Sequence, residues 1–171
     1  MGADELRTLI ILRHAKTERD HVQGDWHRRL TERGHRDARG AAEAILSVVE
    51  GPIELVLSSD AVRAIETAQI IKQAIAPEAP FLSRRSIYLA DTTDLINELQ
   101  AVDNLYRTAL LVGHNPGFLD LINWFAGDRG GHDHLPTSGF TVVTGSWRTW
   151  ADAGSEGATL TPIISQRRRV D

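Results

Sequence analysis

The sequence predicts an α/β protein in which helices pack on a mainly parallel β-sheet. Short apolar runs rich in Ile, Leu and Val alternate with longer segments whose apolar residues recur at helical spacing. This alternation is typical of parallel sheets with crossover helices. The chain has 171 residues and no cysteine. We therefore expect a single domain over residues 1–171, large enough to fold without disulfide bonds or a thiolate metal site.

A long connection separates the first predicted strand from the first predicted helix. Residues 8–12 are an apolar run suited to a strand that is buried on both faces. Residues 15–30 are polar and irregular, and connections of this length are usually functional or disordered. A helix is expected from Thr31, an acceptable N-cap, until Gly51-Pro52 stops it. Its apolar stripe would consist of Ala38, Ala41, Ala42, Ile45, Leu46 and Val49.

A second strand and helix follow directly. The strand is predicted at residues 53–57, and three residues that favour an N-cap, Ser58, Ser59 and Asp60, come after it. The helix extends to about Ala76 and ends before Pro77. Its core-facing residues would be Ala64, Ala68, Ile71 and Ile75.

The rest of the chain continues the same alternation. Residues 77–86 are loop-like, and residues 87–89 form a candidate short strand. The remaining elements, in chain order, are a helix capped by Asp91 or Thr92, a strand at 108–112, a helix opened by Gly113-His114-Asn115-Pro116, a polar loop at 127–138 and strands at 140–143 and 160–164.

The charge balance and the termini point away from nucleic acid and membranes as partners. The net charge is -4, so there is no overall positive field that would attract nucleic acid. The apolar run at residues 9–12 is far too short for a signal peptide or a membrane span. We interpret Arg167-Arg168-Arg169 as a solvated tail. A cytoplasmic location is therefore expected, and the oligomeric state stays open.

Charged residues and histidines follow three of the predicted strands. Arg13 and His14 come after the first strand, Arg63 comes soon after the second, and His114 follows the strand at 108–112. Because ligand sites in parallel sheets form at the carboxyl ends of the strands, these four side chains should converge at one edge.

Such a group of side chains suits phosphoryl chemistry. Arginine offers a planar fork of N–H donors for phosphate or carboxylate, and the N-terminus of a helix also favours an anion. One histidine could attack phosphorus and carry it as a phosphoramidate, while the second stabilises the oxygens. Phosphoryl transfer depends mainly on positioning and charge neutralisation, which Arg and His supply without a metal ion.

Four motifs occur in order along the chain: Leu12-Arg13-His14-Ala15-Lys16, Leu30-Thr31-Glu32-Arg33-Gly34, the segment from Ser58 to Ala68 with Arg63-Ala64 and Thr67-Ala68, and Val112-Gly113-His114-Asn115-Pro116. Together they resemble the motifs of the histidine phosphatase superfamily, also called phosphoglycerate mutase-like. The resemblance is closer to its small SixA-like phosphohistidine phosphatases, in which Arg-His-Ala-Lys is a common start. It runs from about residue 8 to residue 145.

The resemblance implies a role for each matching residue. His14 would be the nucleophile that becomes phosphohistidine, Arg13 and Arg63 would clamp the phosphoryl oxygens, and His114 would be the second pocket histidine. The fold would be a three-layer sandwich with a largely parallel central sheet flanked by helices. No metal ion and no organic cofactor would be needed.

The general acid is the least defined of these roles. The segment Asp25-Trp26-His27-Arg28-Arg29-Leu30 resembles the Asp-x-x-Arg-Pro-Leu segment of the small branch, with Arg29 in place of Pro. The resemblance implies Asp25 as the acid and Arg28 as a third positive group in the pocket. The competing carboxylates are Glu18, Asp20 and Asp91.

The other histidines and tryptophans have simpler interpretations. His132 and His134 form a His-x-His pair, but no third ligand lies at a spacing typical of zinc sites, so no metal is expected. Trp26 lies in the loop that should overhang the pocket, unlike the remaining tryptophans, which we expect in the core.

Three functions compete. The leading hypothesis is a hydrolase that removes phosphate from a phosphohistidine protein or a small phosphomonoester through phosphohistidine at His14. The second is a non-catalytic module that binds a phosphorylated ligand in the same pocket. The third is a phosphomutase, which the short chain without a lid disfavours.

Overall fold

The structure, a computed structural model, describes residues 6–166. The arginine run Arg167–Arg169, interpreted above as a solvated tail, lies outside the described residues. The described residues form six strands and four α-helices, in the order β1 (Arg7–Arg13), α1 (Glu32–Val48), β2 (Leu55–Ser59), α2 (Val62–Ile75), β3 (Phe81–Arg84), α3 (Thr92–Gln100), β4 (Thr108–Gly113), α4 (Gly117–Ala126), β5 (Phe140–Gly145) and β6 (Ala158–Leu160).

The strands form one mainly parallel sheet in the order β3-β2-β4-β1-β5-β6. Strands β1, β2, β3 and β4 pair in parallel, whereas β5 pairs antiparallel with β1 and with β6. The four parallel strands β3, β2, β4 and β1 therefore end at the same edge of the sheet. The predicted α/β class with a largely parallel sheet is confirmed.

Helices cover both faces of the sheet, which makes three layers. Alternate residues of the central strands point to opposite faces. Leu9 and Ile11 of β1 belong to one apolar cluster with α3 and α4. Ile10 and Leu12 belong to a second cluster with α1 and α2. All four side chains are fully buried, as expected for a parallel sheet covered on both sides.

Two of the predicted helix caps are present and one is not. Thr31 Oγ1 accepts a hydrogen bond from Gly34 N at 3.0 Å, and Asp91 Oδ1 accepts from Asp94 N at 2.9 Å. Helix α2 begins instead after Ala61, which offers no side-chain cap. The predicted cap residues Ser58 and Ser59 belong to β2 instead, because Ser58 pairs with β3 and β4 and Ser59 pairs with β3.

The segment between α2 and α3 differs from the sequence prediction. Residues 81–84, predicted as loop, form the edge strand β3, because their backbone pairs with β2 although their side chains are mostly exposed. In place of the strand predicted at residues 87–89, the chain forms a 3-10 helix at Arg85–Ile87 followed by a turn. Leu89 has φ 49°, a left-handed conformation that no strand adopts. Leu46, placed in the apolar stripe of α1, is 61% exposed.

Close backbone contacts at two glycines position the loops around the sheet edge. A Cβ atom at Gly34 would lie 2.1 Å from the carbonyl oxygen of Lys16, and one at Gly117 would lie 2.0 Å from that of Ala90. Only glycine allows these approaches. They hold the segment after β1 against α1 and the segment before α3 against α4. Within residues 6–166, no helix combines the length and the apolar character needed to cross a membrane.

Candidate active site

The candidate site lies at the carboxyl edge of β1, β2 and β4. Arg13 is the last residue of β1 and is paired in register with Gly113 at the end of β4. The backbone N–H of His14 donates to Gly113 O at 2.9 Å. This pairing places His14 and His114 side by side, with 5.3 Å between their ring centroids. The structure thus brings together the two histidines singled out from the sequence.

The His14 ring is oriented by the backbone. Its Nδ1 lies 2.8 Å from the carbonyl oxygen of Ala15. A carbonyl can only accept a hydrogen bond, so Nδ1 carries the hydrogen and Nε2 keeps its lone pair. Burial, and then the charges of Arg63 and Arg13, together lower the pKa of His14 to about 3, against the opposing effect of the hydrogen bond to the Ala15 carbonyl. At neutral pH the ring is therefore uncharged and nucleophilic at Nε2.

Thr67 of α2 holds the backbone next to His14. Its hydroxyl accepts a hydrogen bond from Ala15 N at 3.0 Å and donates to Arg63 O at 2.7 Å. The side chain of Thr67 is fully buried. The helix that carries Arg63 and the loop that carries His14 are therefore fixed to each other by one hydroxyl group.

His114 is oriented by Ser59, the last residue of β2. Its Nε2 lies 2.7 Å from Ser59 Oγ, which also accepts a hydrogen bond from Ala61 N at 3.2 Å. We assign the single hydroxyl hydrogen of Ser59 to a hydrogen bond with His114 Nε2, since Oγ already accepts from Ala61 N, and this assignment places the imidazole hydrogen on Nδ1. Burial, and then the neighbouring His14 and Arg63, lower the pKa of His114, so this ring is also neutral.

Three buried N–H donors of the site lack a partner within residues 6–166. They are Arg13 Nε, Arg63 Nε and His114 Nδ1. Burial, and then the positive charges of Arg28 and Arg63, lower the pKa of Arg13. A buried donor without a partner costs about 1–3 kcal/mol. Unpaired donors and concentrated positive charge together form a site for an anion with several oxygens.

The Asp25 carboxylate is bound by three side chains at this site. Arg63 Nη2 donates to Oδ2 at 2.9 Å, Arg28 Nη1 donates to Oδ1 at 2.9 Å, and the Tyr88 hydroxyl donates to Oδ2 at 2.7 Å. Arg63 Nη1 also donates to the backbone carbonyl of Asp25 at 2.7 Å. Burial favours the neutral acid, but hydrogen bonds from Tyr88, Arg28 and Arg63 outweigh it and hold the pKa of Asp25 well below its usual range.

The competing carboxylates are engaged elsewhere or exposed. Glu18 Oε1 accepts from Arg29 N at 3.0 Å, and Asp91 caps α3. Asp20 is exposed in the first loop. Of the four carboxylates considered from the sequence, Asp25 is the one that contacts the pocket arginine Arg63.

The loop that carries Asp25 is fixed by its arginines. Arg28 Nη2 donates to Thr17 Oγ1 at 2.6 Å, and Arg28 Nε donates to Glu18 O at 3.0 Å. Arg29, which stands where the motif of the small branch has Pro, forms an ion pair with Glu66 of α2 at 2.9 Å. Glu66 also accepts from Leu30 N at 2.8 Å. The loop is thus anchored to α2 by the contacts of Arg29 and Leu30 with the Glu66 carboxylate.

Sequence reasoning missed two residues of the site. The sequence pattern predicts Ser59 as a helix cap, although it lies in one of the motifs. Tyr88 carries no signal, because an isolated tyrosine in an irregular segment cannot be placed. The structure sets its ring edge-on to His114, with centroids 5.5 Å apart. In residues 6–166, no cluster of three or more His, Cys, Asp or Glu side chains is arranged to hold a metal ion.

Fold and site define a class of protein: a three-layer α/β sandwich with paired histidines and arginines at the carboxyl edge of a parallel sheet. The model of the histidine phosphatase superfamily, branch 1, matches residues 9–84. The uncharacterized protein ML1117 of Mycobacterium leprae (strain TN) is 34% identical over 151 residues, covering 80% of this chain and 90% of that protein. The chain belongs to the histidine phosphatase superfamily.

Solved structures are similar over nearly the whole chain. A protein from Nakamurella multipartitia, described provisionally as the phosphohistidine phosphatase SixA, is 25% identical with a TM-score of 0.80. The match covers 93% of this chain and 95% of that one. The protein histidine phosphatase SixA complexed with tungstate is 22% identical with a TM-score of 0.77, and the match covers 92% and 96%. Within its superfamily, the chain resembles the SixA-like branch and has the phosphoglycerate mutase-like fold.

Proposed function

We propose that this chain is a single-domain phosphatase that forms a covalent phosphohistidine at His14. Its substrate is a phosphohistidine protein or a small phosphomonoester. The observation that carries the proposal is the orientation of His14, whose Nε2 lone pair is free while Nδ1 is bonded to the Ala15 carbonyl. The unpaired donors of Arg13, Arg63 and His114 supply the complementary anion site.

Substrate binding begins with an exchange of partners at Arg63. The phosphoryl oxygens accept hydrogen bonds from Arg13 Nε, Arg63 Nε and the Nδ1–H of His114, because these three donors lack other partners within residues 6–166. To reach Arg63 fully, the phosphoryl group competes with the carboxylate of Asp25. Arg28, bonded to Thr17 and Glu18, keeps a positive charge beside the pocket throughout.

In the first chemical step, the lone pair of His14 Nε2 forms a bond to phosphorus. The bond from phosphorus to the leaving oxygen or nitrogen breaks with its electron pair, and the leaving group takes up a proton. Asp25 is the donor of that proton in our proposal. A bound phosphoryl dianion adds negative charge beside Asp25 and draws Arg63 away from it, and both effects raise the pKa of this carboxyl group.

In the second step, water attacks phosphorus and His14 leaves. The bond from Nε2 to phosphorus breaks, its electrons return to Nε2, and the proton lost by water passes to Asp25. The Ala15 carbonyl keeps the other hydrogen on Nδ1 in both steps, so the ring returns to its starting tautomer. Inorganic phosphate is then exchanged for the Asp25 carboxylate at Arg63.

Protein phosphohistidine is the preferred substrate class in this proposal. Support comes from the similarity to a Nakamurella protein described provisionally as the phosphohistidine phosphatase SixA. The chemistry agrees, because a protonated imidazole is a good leaving group, so this substrate class tolerates a weak proton donor such as Asp25, which is ionised in the free protein. We place the reaction, with such a protein partner, in the cytoplasm.

The test is hydrolysis of 4-nitrophenyl phosphate and of a phosphohistidine peptide by the wild type and by His14→Ala. We expect the variant to lose turnover of both substrates while its circular dichroism spectrum stays unchanged. His35→Ala serves as the matched control, since His35 lies on α1 and, within residues 6–166, its side chain forms no hydrogen bond to a site residue. Undiminished hydrolysis by His14→Ala would overturn the proposal.

The ionised state of Asp25 favours a second candidate, a module that binds a phosphorylated ligand without turning it over. A module of this kind binds tungstate or vanadate at the same donors but leaves both substrates intact. Calorimetric titration with tungstate alongside the hydrolysis assay separates the two functions, because only the phosphatase shows both binding and turnover.

A further inference from the structure

Four side chains form a cluster at the mouth of the site: Trp26, Asp60, Arg85 and Tyr88. The guanidinium carbon of Arg85 lies 4.7 Å from the centre of the Tyr88 ring and 5.7 Å from that of the Trp26 ring. Trp26 Nε1 donates to Asp60 Oδ1 at 3.0 Å, and the same oxygen lies 3.7 Å from Arg85 Nη1. We call this group the mouth cluster.

The mouth cluster adjoins the reacting groups on one side of the pocket. The Tyr88 ring packs edge-on to His114, and its hydroxyl donates to the Asp25 carboxylate. Trp26 follows Asp25 directly in the chain. Because Asp25 is the proposed proton donor to the leaving group, the mouth cluster lies where the leaving group emerges from the pocket.

Arg85 is held in place but keeps its hydrogen-bonding capacity. Its side chain is 65% exposed, and its contact with Asp60 at 3.7 Å is too long for a hydrogen bond. No hydrogen bond from the guanidinium to another group occurs in the part of the chain that the structure describes. Contact with two aromatic rings restricts the side chain, so that less conformational entropy is lost when it binds an anion.

We propose that the mouth cluster is a subsite for a carboxylate carried by the leaving group of the substrate. Arg85 presents a planar fork that matches a carboxylate in bidentate geometry, and the Tyr88 and Trp26 rings provide flat surfaces for the atoms between it and the phosphorus. The carboxylate belongs either to an acidic residue beside a phosphohistidine or to a small phosphomonoester. The inference rests on the proposed function for the identity of the leaving group.

Asp60 is the one acidic side chain that the structure places beside Arg85 within residues 6–166, and it weakens the positive field there. Its Oδ1 already accepts from Trp26, and its other oxygen makes no hydrogen bond in the same range. A substrate carboxylate therefore competes with a long, exposed ion pair, which contributes little. The preference we expect is modest, about fivefold in affinity, as for one well-placed exposed ion pair.

The experiment compares two phosphonates that cannot be hydrolysed, phenylphosphonate and 4-carboxyphenylphosphonate. Calorimetry measures their dissociation constants with the wild type, Arg85→Gln and Arg84→Gln. Arg84 is the matched control, because it carries the same charge one position earlier but lines a different groove, with Leu82 and Tyr106. We expect the wild type and Arg84→Gln to prefer the carboxylated compound about fivefold, and Arg85→Gln to bind both equally.

Three results would overturn the subsite: no preference in the wild type, an undiminished preference in Arg85→Gln, or an equal loss of preference in Arg84→Gln. The phosphonates report binding without turnover. The comparison of their dissociation constants therefore tests the subsite even if the protein has no phosphatase activity. Peptides with phosphohistidine next to Glu or Gln then identify the source of the carboxylate. If Arg85→Gln raises KM for the Glu peptide alone, the carboxylate belongs to a protein substrate. If Arg85→Gln raises KM for carboxyphenyl phosphate alone, the carboxylate belongs to a small substrate.

Discussion

Replacement of Asp25 by asparagine should make the site bind inorganic anions more tightly while catalysis slows. In the free protein, the Asp25 carboxylate occupies a donor of Arg63 and a donor of Arg28, each at 2.9 Å. An incoming dianion must displace this carboxylate from Arg63 and then remain near its negative charge. The Asp25→Asn substitution keeps the size of the side chain but removes that charge.

The size of the effect follows from the geometry. Two unit charges about 4 Å apart interact by about 4 kcal/mol at an effective dielectric constant near 20. The Asp25 side chain is 45% exposed, so that water and salt reduce this value considerably. We expect a remaining effect of about 1–2 kcal/mol, which corresponds to roughly 5–30-fold tighter binding of tungstate.

The assay is calorimetric titration with tungstate, together with the steady-state kinetics of 4-nitrophenyl phosphate hydrolysis. Asp25→Asn should lower the dissociation constant for tungstate and lower kcat, since the proposed proton donor is lost. Asp20→Asn is the control, because Asp20 lies in the same loop but is exposed. Weaker binding of tungstate to Asp25→Asn would show that the carboxylate does not compete for Arg63, and would refute the reasoning.

Two further predictions concern the histidines. Because Ser59 holds His114 with Nδ1 protonated, Ser59→Ala should lower kcat roughly 5–30-fold with little change in KM, whereas Ser59→Thr and the neighbouring control Ser58→Ala should retain activity in the same kinetic assay. A lower kcat in both Ser59→Thr and Ser58→Ala would indicate general damage to β2. Burial lowers the pKa of His14 to about 3, so the folded state binds fewer protons than the unfolded chain, whose histidines titrate near about 6.5. The stability contributed by neutral His14 is present above that pH and is lost as the pH falls toward 3. Urea unfolding between pH 7 and pH 4 should show a steeper loss in the wild type than in His14→Gln, and identical slopes would contradict the pKa assignment.

Much of the fold could be predicted because strand periodicity and helix caps are local properties. The apolar runs at residues 8–12 and 108–112 correspond to β1 and β4, and Thr31 and Asp91 cap α1 and α3. Strand β3 could not be predicted, because its side chains are mostly exposed and its backbone pairs with β2. Such an edge strand depends on a partner that is distant in the sequence.

Some residues of the candidate site could likewise be predicted from the sequence, and others could not. Arg13, His14, Arg63 and His114 follow strands of a parallel sheet, and the convergence of such strand ends is enough to place them together from the sequence. Ser59 and Tyr88 depend on the detailed path of the chain. Ser59 reaches His114 because strand β2 continues through Ser59. Tyr88 reaches Asp25 because it follows a 3-10 helix at Arg85–Ile87.

Covalent phosphorylation of His14 is tested most directly by trapping the intermediate. The protein is mixed with excess phosphoramidate or 4-nitrophenyl phosphate, quenched within milliseconds under alkaline conditions, and mapped by mass spectrometry of its peptides. We predict one added phosphoryl group on the peptide that contains His14, stable in base and lost in acid, and absent from His14→Ala. Turnover without any phosphohistidine, or a phosphoryl group on another residue, would contradict the proposed mechanism.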